Sequence, residues 1–479
     1  MAYLPQLKLK FARLDQTSWL ILSWVGIMSV AAISGIVTQR ALYADGAQFF
    51  QSALINGSTN DPNHQRLFVN YLNQFLLQLG RFFPGLTYQL AIGLFSTPLF
   101  FWPVILPALG AWLIRKTQPG FSKLILIFQT AIALPSLMFV INPGLGFFSL
   151  LTLNLALLLR LKKNWSWEGF WLVILAGILF QSHETTLYLM PVLAGLSWWL
   201  YRKNHQTILL GLAGVYLVNF GYSLWWPMAH PIQAAGARYS GLLVELIERF
   251  KDFVWRTPLL YTLGLMGAVG LAGMRFYLIK CWPRRAKLWQ RLEWLGVTGI
   301  CLVVGGIEWQ AFRAGMTWPS DDFKLRVLIT PGALALAMAG FLPAKFWNQI
   351  LKSGAVTVGL LVTSLFLGLW QINHSYRWHL FQTDVIKQIQ VSDVSQPVNL
   401  AQVTTAEYHW DWTWPVYSMV LQQGQIKTIL YPPTPGTDFE QEIKLPNFPG
   451  DSLKTPYSVW KDHRFLDLSQ FKYDNQTRH

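Results

Sequence analysis

The chain alternates long apolar runs with short polar breaks, and most of the breaks carry Lys or Arg. Gln16 to Val37 is the first run. It holds no charge, and at about 1.5 Å of rise per residue it is long enough to cross a hydrocarbon core. The same reading predicts eleven spans alternating in direction. The first covers about 18–38 and the second Phe82 to Ile114, where Pro103 and Pro107 are expected to kink or end the helix. Leu124 to Leu159 is too long for one helix and is split into a hairpin at Asn142-Pro143-Gly144, a turn signal. Trp167–Gln181, Thr185–Tyr201, Thr207–Met228, Pro258–Ile279, Leu295–Gln310, 325–342 and 354–373 follow.

Lys8, Lys10 and Arg13 precede the first span, and basic clusters at 160–163, 202–203 and 280–291 close the predicted inner loops. The positive-inside bias therefore places the N-terminus in the cytoplasm. Arg40 to Gly85 is then external. Within it Leu67, Tyr71, Phe75 and Leu79 recur at helical spacing, which predicts an amphipathic helix lying in the interface. Residues 374–479 are polar and rich in Pro, Asp and Gln, with candidate strands at Val398–Val403 and Ile426–Tyr431. The expected fold is an all-α polytopic membrane protein of about eleven transmembrane helices, residues 1–373, with a small external α/β domain, residues 374–479.

Composition agrees with the pattern. Of 479 residues only 13% are charged and 53% are hydrophobic, and mean hydropathy is +0.32; a soluble domain carries about 25% charged residues. The net charge of +15 does not signal nucleic acid, because the cations lie in short clusters between apolar runs. Cys281 falls in a basic loop and Cys301 in an apolar run, a placement that suggests neither a disulfide nor a metal site. The first run is too long for the core of a typical signal peptide, so it reads as an uncleaved anchor.

With this topology the unusual polar residues gather on the external side. Asp45 stands in Tyr43-Ala44-Asp45-Gly46-Ala47-Gln48-Phe49-Phe50, with His64 and Arg66 in the same loop. His183-Glu184 interrupts two apolar stretches, Arg238 follows the seventh span, and Glu308, Arg313, Asp321, Asp322, Lys324 and Arg326 surround a later external turn. Ionisable groups at the bilayer edge are costly and tend to mark function. Each also has a plainer explanation. Asp45 suits a helix N-cap, Glu184 a helix N-terminus, Asp321-Asp322 a cap, and the Arg and Lys interfacial anchors. HExxH is absent because position 187 is Leu, so a zinc-protease reading fails. Trp410, Trp412 and Trp414 would share one face of a strand, suited to stacking on a sugar, to the membrane interface or to a domain core.

An Asp early in the first external loop followed by Phe49 and Phe50, many spans, an external C-terminal domain and charges on one face together resemble the GT-C superfamily of polytopic glycosyltransferases. The resemblance covers the general plan of about 370 residues. It implies a polyprenyl-phosphate sugar as donor, a lipid, glycan or protein acceptor, and Asp45 as catalytic base. The family often has an acidic pair at this place. Here Gly46 stands where the second acid is common, which leaves Glu184, beside His183, to supply the other carboxylate. His64, Arg66, Arg238, Glu308, Arg313, Lys324 and Arg326 are the candidate substrate contacts, with the Arg and Lys on the phosphate. No cofactor is required by this chemistry, and a divalent metal is compatible with it.

Two other readings fit the same spans. A transporter or flippase of a lipid-linked or polar solute would also hold charges at the membrane edge, although the chain shows no inverted repeat. A scaffold acting through its external tail is the third. Asn56-Gly57-Ser58 and Asn475-Gln476-Thr477 match the glycosylation tripeptide without fixing the compartment. Short loops favour a bacterial inner membrane and a role in the cell envelope.

Overall fold

The computed structural model describes residues 15–43, 46–56, 66–134, 144–164, 166–183, 185–229, 257–313, 329–391, 398–399, 414–423 and 430–431. The fold is a helical bundle. In chain order its helices are α1 (Gln16–Val37), α2 (Gly46–Asn56), α3 (Leu67–Gly80), α4 (Tyr88–Ile114), α5 (Pro119–Phe128), α6 (Gly144–Arg160), α7 (Trp167–Leu179) and α8 (Thr186–Asn204). Then come α9 (Thr207–Ala229), α10 (Thr257–Cys281), α11 (Ala286–Arg313), α12 (Ile329–Ala339), α13 (Ala344–Ile350), α14 (Gly354–Val391) and α15 (Trp414–Leu421).

Among the described residues each predicted span overlaps a helix, yet the count of eleven spans is not supported. Among the described residues five helical stretches are long and apolar enough to cross a membrane: Gln16–Val37, Tyr88–Ile114, Thr207–Trp226, Leu263–Cys281 and Gly354–Val391. A sixth exists if α12 and α13, which meet at 116°, form one broken span. Pro119–Ala133, Gly144–Arg160 and Trp167–Leu179 are apolar but short. α8 ends in Arg202-Lys203 and α11 opens with Lys287, Arg291 and Glu293, so polar ends dilute both. The chain is a multi-pass membrane protein, and a short apolar helix need not face lipid, because it can be packed inside the bundle. α6 shows this best, because all its residues from Gly144 to Leu158 are buried.

α4 runs unbroken through Pro98, Pro103 and Pro107. Pro107 has no N–H to give the Pro103 carbonyl. Gln129 Nε2 donates to that oxygen instead, at 3.0 Å. Gln129 opens a π-helical turn, Gln129–Ala133, that continues α5. A neighbouring side chain thus satisfies a backbone group that proline leaves open, as a helix in hydrocarbon requires.

The first and last long helices run parallel and touch. Ser34 Oγ lies 3.2 Å from Ser375 Oγ, and the α-carbon of Gly368 faces Ile27. Trp24, Trp378, Tyr216 and Phe95 are among the largest fully buried side chains of one continuous core. The expected external α/β domain is not supported. Among the described residues the tail supplies β1 (Val398–Asn399) paired in parallel with β2 (Leu430–Tyr431), within the two predicted strands. It also supplies α15, whose Tyr417 packs on Trp378 and Phe381 of α14 at ring centroid distances of 5.0 and 6.2 Å. Trp414 begins that helix and does not lie on a strand; Trp410 and Trp412 lie outside the described residues.

Candidate functional site

The end of the bundle reached by the C-termini of α1, α7, α11 and α14 carries the candidate chemistry. There the chain leaves α1 through a left-handed Gln39 and a 3-10 turn, Arg40–Leu42. Arg40 is almost fully buried. Its Nη1 donates to the Gln371 carbonyl of α14 at 3.4 Å, and its guanidinium lies 5.4 Å from the Phe100 ring of α4. Tyr43, the last described residue before Asp45, packs on Trp378 at 5.3 Å. Gly46, the first after it, donates its N–H to the Tyr43 carbonyl at 3.1 Å. Asp45 itself lies outside the described residues, but of its flanks Tyr43 is packed on α14 and Gly46 is hydrogen-bonded to Tyr43.

α2 and α3 cover this end. Gln51 of α2 accepts from Tyr88 Oη of α4 at 2.7 Å, with Phe50 edge-on to Tyr88 and Phe95. α3 is amphipathic as expected, with apolar residues outward in the manner of an interfacial helix. Tyr71 and Leu79 are exposed, while Asn70, Asn73 and Gln74 are buried. This i, i+3, i+4 stripe faces the bundle. Gly146 in the first turn of α6 is the contact that requires it: a Cβ there would lie 2.8 Å from Asn73 Oδ1.

His183 occupies the loop between α7 and α8, on the same side. The Phe68 N–H at the head of α3 donates to the Gln181 carbonyl at 3.2 Å, which ties the two segments together. Gln181 is left-handed, turning the chain sharply into the loop. The His183 ring stacks on Phe147 at 5.5 Å and packs on Phe148 at 5.5 Å. Its Nδ1 accepts the Thr185 N–H at 3.2 Å and lies 3.0 Å from Thr185 Oγ1. Acceptance at Nδ1 puts the proton of the neutral ring on Nε2. Thr186 Oγ1 bonds the His183 carbonyl and Ser223 of α9, both at 2.7 Å.

Of the other expected site residues, Arg66 is half-buried at the head of α3, and Arg313 is exposed at the end of α11 with its guanidinium 5.1 Å from the Trp309 ring. His64, Glu184, Arg238, Lys324 and Arg326 lie outside the described residues, as does the side chain of Glu308 on α11. Trp309 also lines an apolar groove of about 430 Å³ between α11 and α14, with Phe366, Leu369, Trp370 and Tyr376. Among the described residues no group of three His, Cys, Asp or Glu converges to hold a metal.

The structure thus gathers the Asp45 flanks, the polar stripe of α3 and His183 at one end, with Arg313 and the groove on the adjoining face of α14. Sequence reasoning missed Arg40, Gln51, Asn73 and Gln371. Arg40 was the legible one among them, being a cation just before Asp45 on the side that should be poor in Lys and Arg. The chain matches no family model, no curated protein and no solved structure.

Proposed function

We propose that the chain is a membrane glycosyltransferase that takes a sugar from a polyprenyl-phosphate donor and transfers it to an acceptor hydroxyl at the external face. The observation that carries this reading is the groove between α11 and α14. It is apolar along its length, as a prenyl chain needs, and Arg313 stands over Trp309 at its rim, where a lipid phosphate would sit. Trp370 of the groove and Trp378 under Tyr43 are two helical turns apart on α14, about 12 Å along the axis. A donor seated in the groove therefore presents its head group near the turn that bears Asp45.

In this mechanism Asp45 accepts the proton of the acceptor hydroxyl. The acceptor oxygen bonds to the anomeric carbon as the bond to the phosphate oxygen breaks, and the lipid phosphate leaves with the electron pair. Arg313 stabilises the charge on it. A phosphate leaves readily, so no strong general acid is needed. One carboxylate on the attacking side gives inversion. Arg40 is a positioning residue, holding the start of the loop against α4 and α14. Localisation in a bacterial inner membrane belongs to the same proposal.

The test is turnover of radiolabelled polyprenyl-phosphate sugars by the detergent-purified protein. Asp45→Asn is expected to lower sugar release by at least about a hundredfold, with thermal unfolding unchanged. Full turnover in that variant would remove Asp45 from the chemistry. Solute counterflow in proteoliposomes without a covalent product would favour the transporter instead.

A further inference from the structure

We propose that the opposite end of the bundle holds a binding site for the phosphate of an anionic membrane lipid. A cavity of about 480 Å³ opens there, where the C-termini of α4 and α6 meet the N-terminus of α7. Arg115, Lys116, Arg160, Lys162 and Lys163 line it, with Glu168 the carboxylate among the lining residues.

The two arginines are fixed, which makes the cavity a built site. Arg160 Nη1 donates to the Leu113 carbonyl at 2.7 Å and its Nε to Glu168 Oε1 at 3.1 Å. Arg115 Nε donates to Ser18 Oγ at 2.9 Å, its Nη1 to the Trp112 carbonyl at 2.6 Å, and its guanidinium lies 3.6 Å from the Trp112 ring. Those bonds consume the one carboxylate in the lining. Lys116, Lys162 and Lys163 face no carboxylate among the described residues, so their charges remain available. The first N–H groups of α7 add their partial positive charge to the same opening.

The depth of the cavity points to a lipid as the source of the phosphate. Arg160 sits 5.5 Å from the Trp167 ring, and Trp167, Phe170 and Trp171 are exposed on the first turns of α7. Exposed aromatics of this kind mark the level of the head groups. A basic bias alone would scatter cations over the face; it would not require five of them, from two helix ends, around one concavity. Basic pockets between helix ends at this level suit anionic head groups. This inference does not rest on the transferase reading.

Native mass spectrometry of the full chain in detergent, with phosphatidylglycerol or phosphatidylcholine added, tests it. Phosphatidylglycerol is expected to be retained and phosphatidylcholine lost. Lys116→Gln/Lys162→Gln/Lys163→Gln is expected to weaken retention about a hundredfold, whereas Lys280→Gln/Lys287→Gln/Lys345→Gln, the same charge removed elsewhere on that face, leaves it unchanged. Glu168→Gln is expected to tighten it several-fold, a gain that misfolding does not produce. Equal loss in both triple variants, or none in either, overturns the site. Displacement of the lipid by equimolar inorganic phosphate would keep the phosphate site and overturn the lipid as its source.

Discussion

His183 is held on its ring and at one nitrogen, so its contribution to stability can be separated from any part in chemistry. Phe147 and Phe148 pack on the imidazole, and the Thr185 N–H needs Nδ1 as acceptor. His183→Ala opens a cavity between the rings and leaves that buried N–H without its acceptor. A loss of about 2–4 kcal/mol is expected, read as a lower thermal midpoint in detergent. His183→Asn restores an acceptor near Nδ1 and is expected to recover part of it. If the ring only supports the loop, turnover follows the folded fraction in both variants; a loss of turnover in folded His183→Asn would give Nε2 a role in the reaction. His183 was legible because a His between two apolar stretches stands out in a sequence. Asn73 was not, because an Asn inside an apolar helix signals nothing until the helix is seen to turn that face inward.

At the scale of elements, the bent pair α12–α13 is held by cations at a helix C-terminus. Lys123 Nζ donates to the Leu351 carbonyl at 2.9 Å and to Thr357 Oγ1 at 2.8 Å, and Arg275 Nη2 donates to the Gln349 and Ile350 carbonyls at 3.4 and 3.3 Å. These are the last carbonyls of α13, which no helical N–H reaches, and positive charge suits that end of the helix dipole. α5 fits beneath because Gly120 has no side chain: a Cβ there would lie on the Trp347 carbonyl, and the Gly120 N–H donates to Asn348 Oδ1 at 2.8 Å. Arg275 also pairs with Glu293, nearly fully buried, at 3.4 Å. Removing one partner of such a pair is costlier than removing both. Arg275→Met is expected to destabilise by about 3–5 kcal/mol, and Arg275→Met/Glu293→Met by less, measured as a double-mutant cycle in detergent. Additive losses would show that the two do not interact.

The proline-bearing helix makes the same argument from the other side. Gln129 serves the Pro103 carbonyl that Pro107 cannot. Gln129→Leu keeps the volume and removes the donor, and a cost of about 1–3 kcal/mol is expected from thermal unfolding beside the unchanged chain. Pro103 and Pro107 read as helix breakers because proline breaks helices that have no help. The help here comes from a residue more than twenty positions away, and no local pattern announces it. The span count fails for a related reason. Runs of apolar residues report burial, and burial in the bundle interior, as for α6, looks the same along the chain as burial in lipid.

For the whole molecule, the external-face transferase reading depends on which end faces out, and the order of charges along the chain is what predicts it. Arg115, Lys116, Arg160, Lys162, Lys163, Arg202, Lys203, Lys280, Arg284 and Arg285 all fall at helix ends remote from the Asp45 loop, as alternating helices would place them. The bias needs only charge and order along the chain, so the amino-acid sequence alone suffices to read it. The two cysteines turn it into a measurement. Cys281 is exposed at the end of α10 in the basic end, and Cys301 is half-buried within α11; both are free thiols. A membrane-impermeant maleimide is expected to leave Cys281 unmodified in intact cells and to modify it in inverted vesicles, with Cys281→Ser as the control that removes the signal. Labelling of Cys281 in intact cells would put the basic end outside. It would then place Asp45, His183 and the Arg313 groove in the cytoplasm, where an external-face transferase has no use for them, while the phosphate site among Arg115, Arg160 and the lysines would face the outer leaflet. One labelling experiment thus decides between the two sides before any substrate is tried.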